Sequence, residues 1–194
     1  MKTEKVLAAI TIVGLIFKLM YWPFSGPILV VGLGTLMMLY LIGGFYFFSD
    51  TNIKKQNLPL SIISGLFLMN ACMAILYKLM FWPFSGPLLM IAVSTIPVIL
   101  VIAFGLRSAT TRTDLTTYYN NMITRLIIIS FLVIILFFTS TVTLVKIIHS
   151  DDPERVRLQT RSMMNPDNEE YRKEFNEYLD QEYSKDVQPE ENGK

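Results

Sequence analysis

The chain has 194 residues, 52% of them hydrophobic and only 17% charged, with a formal net charge of +1. A soluble core could hold that much apolar material, but its distribution decides against one. There is no Asp or Glu from Lys5 to Ser49 or from Leu58 to Gly105, and Leu126 to Val145 carries no charge at all. Each of the first two stretches can cross about thirty Å of hydrocarbon twice at roughly twenty residues per helix, and the third suits one more crossing.

The small net charge hides a division. Ser150 to Lys194 carries thirteen acidic and seven basic residues, leaving three acidic and ten basic residues in the rest. The opening MKTEKVLAAITIVGLIF imitates a signal peptide, with basic residues before an apolar run. No A-x-A-like site follows, and the same kind of helix recurs well inside the chain, so the segment is expected to stay.

Five spanning helices are expected, near Lys5 to Trp22, Gly26 to Phe48, Leu58 to Trp82, Gly86 to Leu106 and Ile123 to Ile147. Continuous rather than alternating apolar runs argue against strands, and a helix satisfies its backbone groups within its own segment. The divisions are a first hairpin over 1–49, a second over 58–106, a fifth helix over 122–148 and an acidic tail over 150–194. The predicted class is an all-α integral membrane protein.

The first hairpin turns at WPFSGP. Pro23 disfavours helical geometry at Trp22. Ser25 and Gly26 supply a turn and a cap, and Pro27 is expected at the first helical position, where its missing amide has no partner to lose. Trp82, Pro83, Ser85, Gly86 and Pro87 repeat the device, and between Lys18 and Leu29 the two copies match at ten of twelve positions. This is an internal duplication. Each unit crosses twice, so the copies run in the same direction as parallel repeats. Tyr21, Trp22, Phe24, Phe81, Trp82 and Phe84 are placed at headgroup level as an aromatic belt.

Downstream of each turn, Gly32 and Gly34 correspond to Ala92 and Ser94, small residues that let helices approach. Pro97 is expected to kink the fourth helix. Asn70, midway along the third, reads as interhelical glue, and the lone Cys72 as a packing residue.

Lys18 and Lys78 are the charges placed within the apolar helices, and a charge there is by default a functional hypothesis. Each lies four residues before a tryptophan, so its ammonium can snorkel to the interface or rest on the ring, pair with a partner's carboxylate, or line an ion pathway. Lys2, Lys5, Lys54, Lys55, Arg107, Arg112 and Arg125 are assigned to loops on one side, which predicts a cytoplasmic N-terminus, extracytoplasmic turns and an extracytoplasmic tail. In that tail, 166–185 spaces Tyr171, Phe175, Tyr178, Leu179 and Tyr183 as one face of an amphipathic acidic helix.

Catalytic constellations are missing from the sequence: no G-x-S-x-G, no P-loop, no H-E-x-x-H. The single histidine, His149, has no companion for a metal site, no cofactor is called for, and the basic residues are too scattered for a nucleic-acid face. The expectation is a non-enzymatic protein whose partners are the lipid bilayer and either another membrane protein or further copies of itself.

Gly14-Leu-Ile-Phe-Lys18, an aromatic turn with Gly26-Pro27 and a glycine-spaced apolar helix together resemble the transmembrane hairpin of GldL, a component of the gliding-motility and type IX secretion motor of certain bacteria. The second copy, Ile75 to Lys78 with Gly86-Pro87, resembles it equally. The resemblance implies a bacterial inner-membrane protein whose Lys18 and Lys78 match a lysine of a proton-driven motor core. The glutamate that partners that lysine has no counterpart here, since Tyr40 and Leu100 stand about where it would lie. The likeness therefore implies a GldL-related component more than a motor.

Overall fold

The computed structural model of the chain describes residues 2–20, 22, 24–43, 57–111 and 113–187. Among them are eight helices and no strand: α1 Lys2–Leu19, α2 Ser25–Gly43, α3 Leu58–Leu79, α4 Ser85–Ser108, α5 Thr113–Phe138, α6 Thr141–Ile148, α7 Pro153–Met164 and α8 Glu169–Val187. They fall into two compact units, residues 1–141 and 142–194.

In the first unit each helix packs on the next in the chain, and α5 also folds back onto α3. The buried seam is built from Leu29, Leu68, Leu89, Ile96, Met122, Leu126 and Val133, while residues such as Val31, Ile42, Val101, Ile128 and Phe131 remain exposed. An outward surface that apolar is the surface of a protein solvated by lipid. Among the described residues four helices are long and apolar enough to cross a membrane: α2 over Ser25–Ile42, α3, α4, and α5 over Leu115–Phe138. α1 is not one of them, because Lys2, Glu4, Lys5 and Lys18 fall within its eighteen residues.

α1 and α2 approach closely at two glycines. A Cβ on Gly32 would stand 2.7 Å from Thr11 Oγ1 and 3.3 Å from the Thr11 backbone nitrogen, and one on Gly14 would stand 3.0 Å from Ile28. Gly34 faces open space, so only one of the two glycines expected to serve packing on α2 meets a neighbouring helix.

The helix ends differ from the expected mechanism. α1 and α3 stop at Leu19 and Leu79, three residues before each tryptophan. At the second turn Phe81 takes a left-handed φ of 57°. Its amide then bonds to the carbonyl of Lys78 and that of Trp82 to the carbonyl of Tyr77. The Trp82 ring sits edge-on to Tyr77 at 5.1 Å. This is a Schellman closure with its accompanying apolar contact, made without the usual glycine. The first turn repeats the Trp22-to-Phe17 backbone bond and places those two rings 4.5 Å apart.

Phe24 and Phe84, also left-handed at φ 69° and 66°, then lead into α2 and α4. Ser25 and Ser85 are the first helical residues rather than caps, and Phe84, in the cap position, makes no side-chain capping bond. Pro27 and Pro87 therefore occupy the third helical position, still among the amides that lack an intrahelical partner. Pro23 and Tyr21 lie outside the described residues, as do 44–48 at the expected end of the second span and Lys54, Lys55 and Arg112.

The fifth helix is displaced from the expected 122–148. It begins nine residues earlier, at Thr113, and ends at Phe138. The polar run Thr113 to Asn121 is helical because Tyr118, Tyr119, Met122, Ile123 and Leu126 recur on one buried face. The end falls at Thr139, whose amide and hydroxyl both bond to the Ile135 carbonyl, and hydroxyl-rich Thr139-Ser140-Thr141 competes with continuation of the helix. α4, in contrast, runs on through Pro97.

In the second unit α8 occupies the segment expected to be helical, 166–185, and a further helix, α7, precedes it. Asp152 caps α7 by accepting from the Arg155 amide at 3.0 Å, and Pro153 follows at the first helical position. Asn168 accepts from the amides of Glu170 and Tyr171 at the start of α8. The helices are joined by Arg155 with Glu182, Arg161 with Glu174, and the Tyr178 hydroxyl donating to Asp152 at 2.6 Å. Tyr171, Phe175, Tyr178 and Leu179 are half-buried on the face expected for them, and the Tyr183 side chain lies outside what the structure describes.

Candidate functional site

Buried polar groups in an apolar bundle are the places to look, since each must be neutralised or used. Two clusters stand out in the first unit.

The first joins three helices. Glu4, one turn into α1 and 8% exposed, receives Arg125 of α5 through two bonds, Nε to Oε1 at 2.5 Å and Nη2 to Oε2 at 2.6 Å. The Tyr40 hydroxyl of α2 donates to Oε1 at 2.9 Å, and Arg125 Nη1 donates to the Asn121 carbonyl at 2.9 Å. A planar guanidinium on a carboxylate is the geometry in which such a pair is strongest. Removing one partner from a buried pair costs about 3–5 kcal/mol, because the other charge is stranded.

The second cluster lies toward the other end of α3. Lys78, also 8% exposed, donates to Thr141 Oγ1 at 3.0 Å. Its ammonium is turned into the bundle rather than snorkelling outward, and Trp82 packs on Tyr77. No carboxylate pairs with Lys78 among the described residues. It lies in the last turn of α3, and Thr141 stands three residues beyond the end of α5. The carbonyl ends of both helices carry partial negative charge, which favours a cation there. Its repeat equivalent, Lys18, is half-buried, so the duplicated lysines occupy different surroundings.

α5 meets the start of α3 in a ladder on the N-terminal side of Arg125. Tyr118 shares a 2.5 Å bond with Ser61 and donates to the Asn57 carbonyl, and Ser64 donates to Met122 sulfur. Asn70 donates across to the Leu88 carbonyl of α4 at 3.2 Å. Ala92 is fully buried, whereas Ser94 is exposed and turns back to its own Ile91 carbonyl. At the turns Trp22, Trp82, Pro83, Gly86 and Pro87 are exposed, Ser25 is buried, Ser85 is half-buried, and a Cβ on Gly26 would stand 3.4 Å from the Met80 methyl.

Glu4 and Arg125 were not among the residues that the sequence singles out, and Arg125 is a helix residue rather than a loop cation. A signal was available. Each charge stands immediately beside an uncharged or acid-free stretch, and the two have opposite sign. No group of three or more His, Cys, Asp or Glu side chains able to hold a metal occurs among the described residues.

Four apolar spans and lipid-facing surfaces define a multi-pass α-helical membrane protein. Residues 5–57 match the family model for the GldL N-terminal domain, so this part of the chain is similar to that domain. That match covers α1, α2 and the segment leading to α3, and ends before the second copy of the turn. No curated protein and no solved structure is matched by the chain.

Proposed function

We propose that the chain is a non-enzymatic interaction component of a bacterial inner-membrane complex related to the gliding-motility machinery. The observation that carries this reading is the Glu4–Arg125–Tyr40 cluster. Its acceptors and donors are directed at one another across α1, α2 and α5, so the charges hold helices together instead of facing a substrate. The GldL-related hairpin supplies the class of complex.

In this reading α1 is a fifth crossing, antiparallel to α2 and joined to it by the short turn. The N-terminus is then cytoplasmic and the acidic tail periplasmic. Lys2, Lys5 and Arg107 on the cytoplasmic side support that orientation.

A second reading is a small transporter or ion-conducting subunit, favoured by the burial of Lys78 with one hydroxyl as its acceptor. Crosslinking in living cells followed by mass spectrometry tests the first reading, which requires a stoichiometric membrane-protein partner. Recovery of the protein alone, or with only its own copies, rejects it. Flux in reconstituted vesicles that falls when Lys18 and Lys78 are both changed to Gln establishes the second, and unchanged flux removes it.

A further inference from the structure

The composition of α1 and the location of its charges are in tension with a place in the membrane. Four of its eighteen residues are charged, yet Glu4, Leu7, Thr11 and Gly14 form a buried stripe along one face. α1 packs along α2, and Glu4 ties it to α5 through Arg125. Arg125 in turn stands directly before the uncharged run that begins at Leu126. Either charge alone would be stranded in apolar surroundings, and together they form a neutral, bidentate unit.

We infer that Glu4 and Arg125 form a lock that makes the membrane seating of α1 and α5 mutually dependent, with Tyr40 orienting the carboxylate. The inference rests on α1 being a crossing. It adds that α1 is held by a partner in a helix made more than a hundred residues later, so the inner face of α1 is sealed only after α5 has arrived. Position Ser64, which the sixty-residue repeat places opposite Glu4, carries no charge and meets Met122 instead, so the lock belongs to one copy alone.

The test uses the full chain in membranes with Cys72→Ser and a reporter Leu7→Cys, one turn from Glu4 on the buried stripe. Glu4→Arg and Arg125→Glu should each raise labelling of the reporter by a water-soluble maleimide by about tenfold or more. The double exchange, Glu4→Arg with Arg125→Glu, should restore protection. A second reporter at fully buried Ala103 of α4 must stay protected in the single variants, which separates local release of α1 from general unfolding. Failure of the double exchange to restore protection overturns the lock, as does equal exposure of both reporters. An N-terminal tag found on the same side as a cysteine at Phe24 would instead overturn the crossing of α1 itself.

Discussion

Lys78 donates its ammonium to the hydroxyl of Thr141, sixty-three residues away, at 3.0 Å. The contact fixes the end of α3 to the place where α5 gives out. Thr141→Val keeps the shape and removes the acceptor, so it should lower thermal stability in detergent by about 1–3 kcal/mol. Lys78→Met removes the charge that needs the acceptor and should recover most of that loss in the double variant. A double-mutant cycle in which the two losses simply add would show that the hydrogen bond contributes nothing.

Gly32 and Gly34 give an internal comparison on one helix. Gly32→Ala pushes a methyl against the backbone of Thr11 and should cost about 1–3 kcal/mol by separating α1 from α2. Gly34→Ala meets open space and should gain a few tenths to about 1 kcal/mol from reduced backbone freedom. Melting of the two variants side by side checks both signs.

Phe24 and Phe84 hold left-handed backbone that an aromatic side chain adopts at a cost of about 1–2 kcal/mol. Phe84→Gly should therefore raise the stability of the protein in detergent, where the ring has little to bind. In a bilayer the same change should lose part of that gain, since the ring is 74% exposed and placed to enter the interface. Equal gains in both media would mean that the ring makes no interfacial contact.

The α7–α8 pair should respond to acid. Burial alone would raise the Asp152 carboxyl, but the Arg155 amide, the Tyr178 hydroxyl and nearby Arg155 and His149 outweigh it and hold the group below its ordinary value of 3.8. A depressed carboxyl stabilises the folded pair above its unfolded value and loses that contribution as pH falls through the folded one. Tyr178, pushed up to about 12 first by its bond to Asp152 and then by burial, acts in the opposite sense and loses its contribution as pH rises toward that value. The protection of α7 and α8 amides from hydrogen exchange, taken relative to the intrinsic rate at each pH, should be greatest between these limits and fall below about pH 4. Asp152→Ala should cost about 1 kcal/mol through the lost cap and flatten the acid limb.

The hairpins were legible because WPFSGP is a local signal written twice, and lipid demands long apolar runs that composition alone displays. The manner of turning was not legible. Proline and glycine announced the turn, yet left-handed phenylalanines perform it, a choice that goes against residue preference. The first half of α5 was hidden for a related reason. Its polar Thr113 to Asn121 looks like a loop until the spacing of Tyr118, Tyr119 and Met122 is weighed above composition. The pairing of Glu4 with Arg125 spans 121 positions, and although each charge stands out at the edge of an apolar stretch, neither segment says which partner it meets.

The repeated turns also bear on symmetry. Two copies of one hairpin would by themselves be interchangeable, each seeing the other across a shared axis. An odd helix ends that equivalence, because it must lie nearer to one copy's chemistry than to the other's. α5 meets Glu4 through a guanidinium and the corresponding Ser64 through a thioether, and Thr141, three residues beyond its end, accepts from Lys78. The duplicated turn sequence thus borders an interior that is not duplicated, in which a carboxylate in one copy answers to a hydroxyl in the other.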